Sequence, residues 1–150
     1  MGKSIEKFFS EKEKEFITDA IRNAEEQTTG EIRIRIESST NSTDVFECAR
    51  KDFEELGMHK TKHRNGVLLY IAINDKQFAI IGDIKIDAIV GQKYWHNLSV
   101  TLGEYFSRKQ FAEGTITIIN RIGEILHQYF PIKDDEENND ELPNEISFGD

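Results

Sequence analysis

Three short polar segments lie where the sequence predicts that strands begin or end, and each sets an acid or an amide beside a glycine. The segments are Thr29-Gly30-Glu31, Arg64-Asn65-Gly66 and Gly82-Asp83. Carboxylate and amide oxygens are the ligands that calcium and magnesium take in proteins. If the segments converge, Glu31, Asn65 and Asp83 predict a site for one of these cations. Asp87 would add a second carboxylate if residues 83–87 form one helical turn, because side chains four apart then share a face.

Each of these residues also has a structural interpretation, and the sequence leaves both open. Asp83 precedes a predicted helix and is a good N-cap residue. Asn65 before Gly66 is a turn signal in its own right. Glu31 starts an alternating strand on its charged side, and Asp87 could be a surface acid.

The elements that position these residues follow from hydrophobic periodicity and from turn and cap residues. Ser10 with Glu13 predicts a capping box at the start of the first helix. Strict alternation of isoleucine and charge over residues 31–37 predicts a strand that is buried on one side or lies at an edge. The apolar run 67–73 predicts a strand buried on both faces. The remaining predicted elements are a helix from Thr43 or Asp44 to about Leu56, a strand over 78–81, a turn at 86–90, and helices over 92–107 and 111–130.

The order helix, strand, helix, strand, strand, helices predicts an α/β fold. A right-handed crossover makes the first two strands parallel, and a hairpin turn at residues 74–76 makes the third antiparallel to the second. The product is a small mixed sheet with helices on its faces. The starts of the first two strands and the end of the third then share one edge, which brings Glu31, Asn65 and Asp83 together.

A second polar set lies at the opposite edge of the predicted sheet. It comprises the loop Ser38 to Asp44 together with Asn74 and Asp75. Ligands of open α/β sheets favour the carboxyl ends of parallel strands, and this loop follows such an end. A solvated connection is the other interpretation of the loop, so the sequence does not rank the two edges.

Charge and composition bound the classes of function. The net charge of -9 is concentrated after Lys133, where eight acids and no base follow, so that residues 1–133 carry twenty acids against nineteen bases. We therefore predict a folded domain over residues 1–132 and an acidic, disordered tail over 133–150. An acidic tail without a basic stripe argues against nucleic acid as a partner. The tail could instead dock a protein partner, and we expect the chain to be a monomer.

Other features exclude common site types. The single cysteine, Cys48, allows no internal disulfide and falls on a helical apolar pattern. Four scattered histidines do not make a zinc site. The start of the chain has no apolar core of a signal peptide and no segment is long enough for a membrane helix, so we expect a cytoplasmic protein without membrane insertion. Common hydrolase and nucleotide-binding motifs are absent.

The ordered set of motifs resembles the TPM domain family, named for a thylakoid lumen protein, a photosystem II repair protein and a modulator of acetylcholine receptors. The resemblance covers roughly residues 5–131, and the segment from Glu141 to Ile146 is similar to an extension found in bacterial members. The motifs that carry it are Thr29-Gly30-Glu31-Ile32, Arg64-Asn65-Gly66-Val67-Leu68, Ile81-Gly82-Asp83-Ile84-Lys85-Ile86, Trp95, Gly123-Glu124-Ile125-Leu126 and Phe130-Pro131.

The resemblance implies a three-layer α/β/α sandwich with a mixed sheet of about four strands. It also implies divalent cation binding, known in some members, and acid phosphatase activity, reported in a plant member. This chain departs from the family at Asn65, where many members have an acid, and we expect it to lack the signal peptides and membrane anchors of many members. We therefore expect a calcium- or magnesium-binding domain with a regulatory or interaction role. A metal-dependent phosphatase acting on phosphate monoesters is the alternative.

Overall fold

The protein alternates helices with strands along most of its length. The computed structural model describes residues 2–132 and 142–149. Short 3-10 helices lie at Gly2–Lys7 and Met58–Lys60. The main elements are α1 (Glu11–Glu25), β1 (Glu31–Glu37), α2 (Val45–Glu55), β2 (Gly66–Ala72), β3 (Gln77–Gly82), α3 (Ile84–Ser107), α4 (Phe111–Tyr129) and β4 (Ser147–Phe148).

The four strands form one mixed sheet in the order β3-β2-β1-β4. β1 and β2 are parallel, with Glu31 opposite Gly66 and Glu37 opposite Ala72. β3 runs antiparallel to β2. The predicted crossover and hairpin are therefore confirmed.

Alternation along β1 separates a buried face from a polar face. Ile32, Ile34 and Ile36 are fully buried in the main core, to which α1, α3 and α4 contribute their apolar stripes. Successive side chains of a strand point to opposite faces, so Arg33 and Arg35 lie on the other side of the sheet. They are only partly buried there.

β2 is buried on both faces, as its continuous apolar sequence predicts. Val67, Leu69 and Ile71 belong to the main core. Tyr70 and Ala72 face the other way and pack with Ala49 of α2. Helices thus cover both faces of the sheet, which confirms the α/β fold with three layers.

Side-chain caps set the starts of three helices. Ser10 and Glu13 form the predicted capping box of α1. Of the two predicted caps of α2, Asp44 takes the role, accepting from the amides of Phe46 and Glu47. Asp83 caps α3, which continues through residues 84–107 but breaks its helical geometry at Gly91, where φ is 77°. Within the described ranges, no helix is long and apolar enough to cross a membrane.

Residues 142–149, whose composition predicts a disordered tail, belong to the sheet and the core. β4 pairs in parallel with β1, setting Ser147 opposite Arg35 and Phe148 opposite Ile36. Leu142 is buried in a cluster with Phe53, Met58 and Leu68. The segment is mostly polar, so its composition does not reveal its three well-spaced apolar residues. The edge of β1 that does not pair with β2 is available to this segment. Residues 133–141 and 150 of the predicted tail lie outside the described residues.

Close packing of α1 against α4 predicts opposite effects of two glycine substitutions. An added Cβ at Gly123 in α4 would lie 2.7 Å from Ala24 Cβ, whereas one at Gly103 in α3 would lie 3.7 Å from Phe78 Cε2. We expect Gly123→Ala to lower the free energy of unfolding by about 1–3 kcal/mol, because the helices must move apart. Gly103→Ala should raise it by roughly 0.5–1 kcal/mol, because alanine is the better helix former.

Urea unfolding followed by circular dichroism measures both variants. Equal effects of the two substitutions would contradict the close packing of α1 against α4.

Candidate functional site

The three predicted polar segments meet at the edge where β1 and β2 begin, which we call the amino edge. Asp83 N donates a 2.8 Å hydrogen bond to Gly66 O, and Glu31 lies opposite Gly66 in the sheet register. Asn65 Nδ2 donates to Thr29 Oγ1 at 3.1 Å. Glu31, Asn65 and Asp83 are all at least 96% buried. The predicted convergence is confirmed.

Asp83 forms a two-point ion pair with Arg64. Arg64 Nε donates to Asp83 Oδ2 at 2.7 Å, and its Nη2 donates to Oδ1 at 2.9 Å. Asp83 Oδ1 also accepts from the amide of Ile84 at 2.8 Å, which is the cap of α3. The Asp83 carboxylate therefore pairs with the Arg64 guanidinium and also caps the start of α3.

The other two predicted acids also have protein partners. Glu31 Oε1 accepts from the amide of Leu142 at 2.6 Å, which ties the C-terminal segment to β1. Asp87 N bonds to Asp83 O at 2.9 Å, so the predicted helical turn is present. The Asp87 side chain accepts from Trp95 Nε1 at 2.9 Å.

These partners do not suit a divalent cation at the amino edge. The Arg64 guanidinium takes the in-plane position on Asp83 where a cation would bind, and two positive groups there would repel each other. Across residues 2–132 and 142–149, no three His, Cys, Asp or Glu side chains are grouped so as to hold a metal ion, at either edge of the sheet. The role of Glu31, Asn65, Asp83 and Asp87 as metal ligands stays a prediction.

Sequence reasoning missed a further carboxylate at the amino edge. Glu25 is buried, and its Oε2 accepts from the amide of Ile32 at 2.8 Å. The spacing of Ile17, Ile21 and Glu25, four residues apart, places the acid on the buried face of α1 and could have identified it. Glu25 joins the end of α1 to the start of β1.

A polar cleft of about 500 Å³ lies at the opposite edge, beyond the carboxyl end of β1. We call it the carboxyl-edge cleft. Four acids and two bases line it, together with the hydroxyl-rich loop after β1. The lining residues are Arg35, Glu37, Ser38, Ser39, Thr40, Asn41, Thr43, Glu47, Cys48, Lys51, Asp52 and Glu55.

Two carboxylates of the cleft share one guanidinium. Arg35 Nε lies 3.4 Å from Glu37 Oε2 and 3.5 Å from Asp52 Oδ2. Glu37 also accepts from Tyr70 Oη at 2.7 Å, while Arg35 Nη1 donates to Ser147 Oγ at 2.9 Å. Asp52 is 3% exposed, and its Oδ2 has no hydrogen-bond partner among the described residues. With both carboxylates ionised, the cluster therefore carries one negative charge more than Arg35 neutralises.

Burial and the facing Glu37 carboxylate raise the pKa of Asp52 to about 7, with Arg35 opposing the shift. Burial also raises the pKa of the Cys48 thiol, which therefore stays protonated and is no candidate nucleophile. The pKa of Tyr70 is raised by burial and by its hydrogen bond to Glu37, so its hydroxyl remains a donor. Asp52 is the member of this cluster that titrates near neutral pH.

Asp75 fixes the loop that forms one wall of the cleft. Its Oδ2 accepts from Thr40 N at 2.7 Å, from Thr40 Oγ1 at 3.0 Å and from Ser39 Oγ at 3.0 Å. These hydrogen bonds lower the pKa of Asp75. The loop 38–44 and Asp75, which the sequence grouped at this edge, do lie together, and Asn74 joins them through its amide to Ser38 O at 2.8 Å.

The sequence did not single out Arg35, Glu37 or Asp52. Arg35 and Glu37 belong to the charged face of β1. A charged face is as typical of a strand exposed to solvent as of a binding site. Asp52 carried a usable signal, because it lies three residues after Ala49 on the buried stripe of α2. An acid on an apolar stripe needs a partner or a function.

Asp83 should behave as a helix cap and ion-pair partner. We expect Asp83→Ala to lower the free energy of unfolding by about 1–3 kcal/mol, because it removes the α3 cap and leaves Arg64 without its carboxylate. Asp83→Ser restores the cap without the charge and should recover part of the loss. Urea unfolding of the two variants measures the difference, and an Asp83→Ala variant as stable as the wild type would contradict this role.

Asp52 should make stability depend on pH. A folded-state pKa above the unfolded value of about 3.9 means that the folded protein binds this proton more tightly. Its contribution is thus fully present below about pH 4 and is lost as pH rises through about 7. Asp52→Asn escapes that loss, so its unfolding free energy relative to wild type should rise by about 1–4 kcal/mol between pH 4 and pH 8.

Urea unfolding at several pH values tests this, with Glu54→Gln on the exposed side of α2 as the matched control. A difference between Asp52→Asn and wild type that is the same at every pH would refute the shifted pKa.

Comparison with known proteins places the chain in a family. No curated protein matches it. A solution structure of the BA42 protein from the psychrophilic bacterium Bizionia argentinensis is 41% identical, with a TM-score of 0.84 over 95% of this chain and 96% of that one.

Two further solution structures share the fold at 14% identity. The N-terminal domain of a P. gingivalis protein has a TM-score of 0.71 over 82% of this chain and 79% of that one. The N-terminal domain of cg2496 from Corynebacterium glutamicum has a TM-score of 0.62 over 79% and 74%. The model of the TPM domain matches residues 4–125, and the chain belongs to the TPM domain family.

Proposed function

We propose that this domain binds one divalent cation, calcium or magnesium, in the carboxyl-edge cleft, with Glu37 and Asp52 as its carboxylate ligands. The observation that carries the proposal is the buried Asp52 Oδ2, which lines a polar cleft and has no hydrogen-bond partner among the described residues. A buried carboxylate without full pairing is costly, and a cation relieves that cost.

The two edges of the sheet differ in how their acids are neutralised. At the amino edge, one carboxylate meets one guanidinium at 2.7 and 2.9 Å. At the carboxyl edge, two carboxylates share one guanidinium at 3.4 and 3.5 Å. Lys51 is the other base lining the cleft, against the further acids Glu47 and Glu55. Among the described residues, a carboxylate oxygen without a hydrogen-bond partner is found at this edge, on Asp52, and not on the acids of the amino edge, which favours a cation here.

The chemistry of the cleft suits a hard cation with a partly hydrated shell. Magnesium binds through one or two carboxylates and keeps several waters, and calcium accepts a larger set of carboxylate, carbonyl and water oxygens. Glu37 and Asp52 supply the carboxylates, and the hydroxyl-bearing loop 38–44 lies beside them. A pair of carboxylates predicts weak affinity, with a dissociation constant on the order of 0.1–1 mM.

A regulatory or interaction role follows from the elements that would share the cation. Glu37 ends β1, and Asp52 lies on α2. A cation between them would join the helix layer to the strand and lower the mobility of α2. Cation binding would then act on the surface formed by α2 and the loop before it.

Phosphate monoester hydrolysis is the second candidate. One observation favours it: a carboxyl group whose pKa is near 7 lines the same cleft as Arg35 and Lys51, which can bind phosphate oxygens. Asp52 would exchange the proton, and the cation would supply charge neutralisation at the phosphoryl group. The excess of acids in the cleft weighs against an anionic substrate, so the binding role comes first.

An amide NMR titration with magnesium and then calcium tests the proposal. We expect saturable shifts in residues 37–55, and 10 mM cation should add about 1.4 kcal/mol to the unfolding free energy if the dissociation constant is about 1 mM. Asp52→Asn and Glu37→Gln should each abolish saturation, because each removes half of the carboxylate pair.

Asp83→Ser is the matched control and should leave the titration unchanged. Saturable shifts around Glu31, Asn65 and Asp83 that this variant abolishes would move the site to the amino edge. Shifts confined to the acids of residues 133–150 would mean that the cation only screens charge, and the proposal would be withdrawn. Turnover of p-nitrophenyl phosphate with magnesium, lost in Asp52→Asn, would favour the phosphatase.

A further inference from the structure

A second cavity of about 640 Å³ lies at the same end of the sheet as the carboxyl-edge cleft but on the opposite face. We call it the apolar cavity. Its volume is within the range of small-molecule sites, roughly 300–1,000 Å³. The apolar side chains that line it are Phe8, Ile71, Ile73, Phe78, Phe106 and Phe111.

Aromatic contacts hold the walls of the apolar cavity in place. The ring of Phe106 lies 4.8 Å from that of Phe78 and 5.0 Å from that of Phe111, both edge to face. Phe8 lies 4.8 Å from Phe111. Edge-to-face pairs stabilise specific ring positions, so the cavity is a formed space between packed side chains. Gly103 of α3 lines it without a side chain.

Two lysines stand among these apolar groups. Lys76 and Lys109 line the cavity, and both side chains are solvent-exposed. Each lysine closes a turn, since Lys76 N donates to Ile73 O and Lys109 N donates to Phe106 O. The first residues of these turns, Ile73 and Phe106, also line the cavity. Both have positive φ, 55° and 60°, a conformation in which asparagine or glycine is favoured over lysine. The turns therefore place two lysines in the lining of one apolar space.

Within residues 2–132 and 142–149, no acid lines the apolar cavity and neither lysine is ion-paired. The carboxyl-edge cleft across the sheet has the reverse character, with four acids and two bases. The positive charge at the apolar cavity is thus available to a ligand. An uncharged apolar ligand would leave it unused, and a cationic one would be repelled.

We propose that the apolar cavity binds an amphipathic carboxylate, such as a medium-chain fatty acid. Its alkyl chain would lie among the phenylalanine rings, and its carboxylate would pair with Lys76 and Lys109. The two parts of the ligand match the two parts of the lining: aromatic walls for the chain and two unpaired lysines for one anionic head. This inference is independent of the cation proposed for the other cleft.

Octanoate is the probe, followed by amide NMR shifts on the full chain. We expect saturable shifts at Phe8, Phe78, Gly103 and Phe106, with a dissociation constant on the order of 1 mM. Hexanoate should bind about tenfold more weakly, because each methylene contributes about three- to fourfold. Octanol and octylamine should bind more weakly than octanoate, since one lacks the negative charge and the other reverses it.

Variants separate the two parts of the site. Lys76→Gln and Lys109→Gln should each weaken octanoate binding by roughly two- to fivefold, as expected for an exposed ion pair. Octanol binding should not change in either. Lys60→Gln, a lysine at the amino edge, is the matched control and should have no effect. Gly103→Leu should abolish binding, because its side chain would enter the cavity.

The lysine variants keep the proposal testable if Gly103→Leu does not fold, because they change exposed side chains only. Equal shifts with octanoate, octanol and octylamine would show nonspecific adsorption and overturn the proposal. Absence of saturation up to the critical micelle concentration would also overturn it. So would octanoate affinity that is unchanged in the double variant Lys76→Gln/Lys109→Gln.

Discussion

The alternation of side chains along β1 is the constraint on which the rest of the molecule depends. Ile32, Ile34 and Ile36 fill the main core on one face, and Arg35 and Glu37 must then lie on the other. A register shift of one residue would exchange the two faces and bury three charges. Because β1 lies between β2 and β4, its pairing also fixes where both polar edges form.

The two ends of β1 resolve the problem of buried charge in different ways. At the amino edge, hydrogen bonds and one matched ion pair satisfy the acids, and the result is a junction of α3, β2 and the C-terminal segment. At the carboxyl edge, one guanidinium pairs with two carboxylates, and burial together with the facing Glu37 raises the pKa of Asp52. A buried acid whose oxygens all have hydrogen-bond partners is explained by its structural role. A buried acid with an oxygen that lacks such a partner requires a further explanation.

The turn between β2 and β3 connects the two cavities. Asp75 anchors the loop of the carboxyl-edge cleft, and the next residue, Lys76, lines the apolar cavity on the other face. The turn is closed by the hydrogen bond from Lys76 N to Ile73 O. Neighbouring residues of one short turn therefore belong to the two cavities on opposite faces of the sheet.

Sequence alone determined the elements whose signal is local. Alternation defined β1, the apolar run defined β2, and the chirality of the crossover made them parallel. The convergence of Glu31, Asn65 and Asp83 followed from that topology and is confirmed. The capping box at Ser10 was likewise predicted, and the predicted separation of residues 86–90 from the helix over 92–107 agrees with the interruption of α3 at Gly91, because both signals are local.

Tertiary structure decided what depends on residues distant in the chain. Asp83 became the partner of Arg64, and Asp52 came to face Glu37 through the packing of α2 on the sheet. β4 formed because β1 offered an open edge to a segment about 110 residues away in sequence, as the bond from Leu142 to Glu31 shows with its separation of 111. Side-chain type is local information, but the state of a charged group is set by its neighbours in space, and only the folded chain brings those neighbours together.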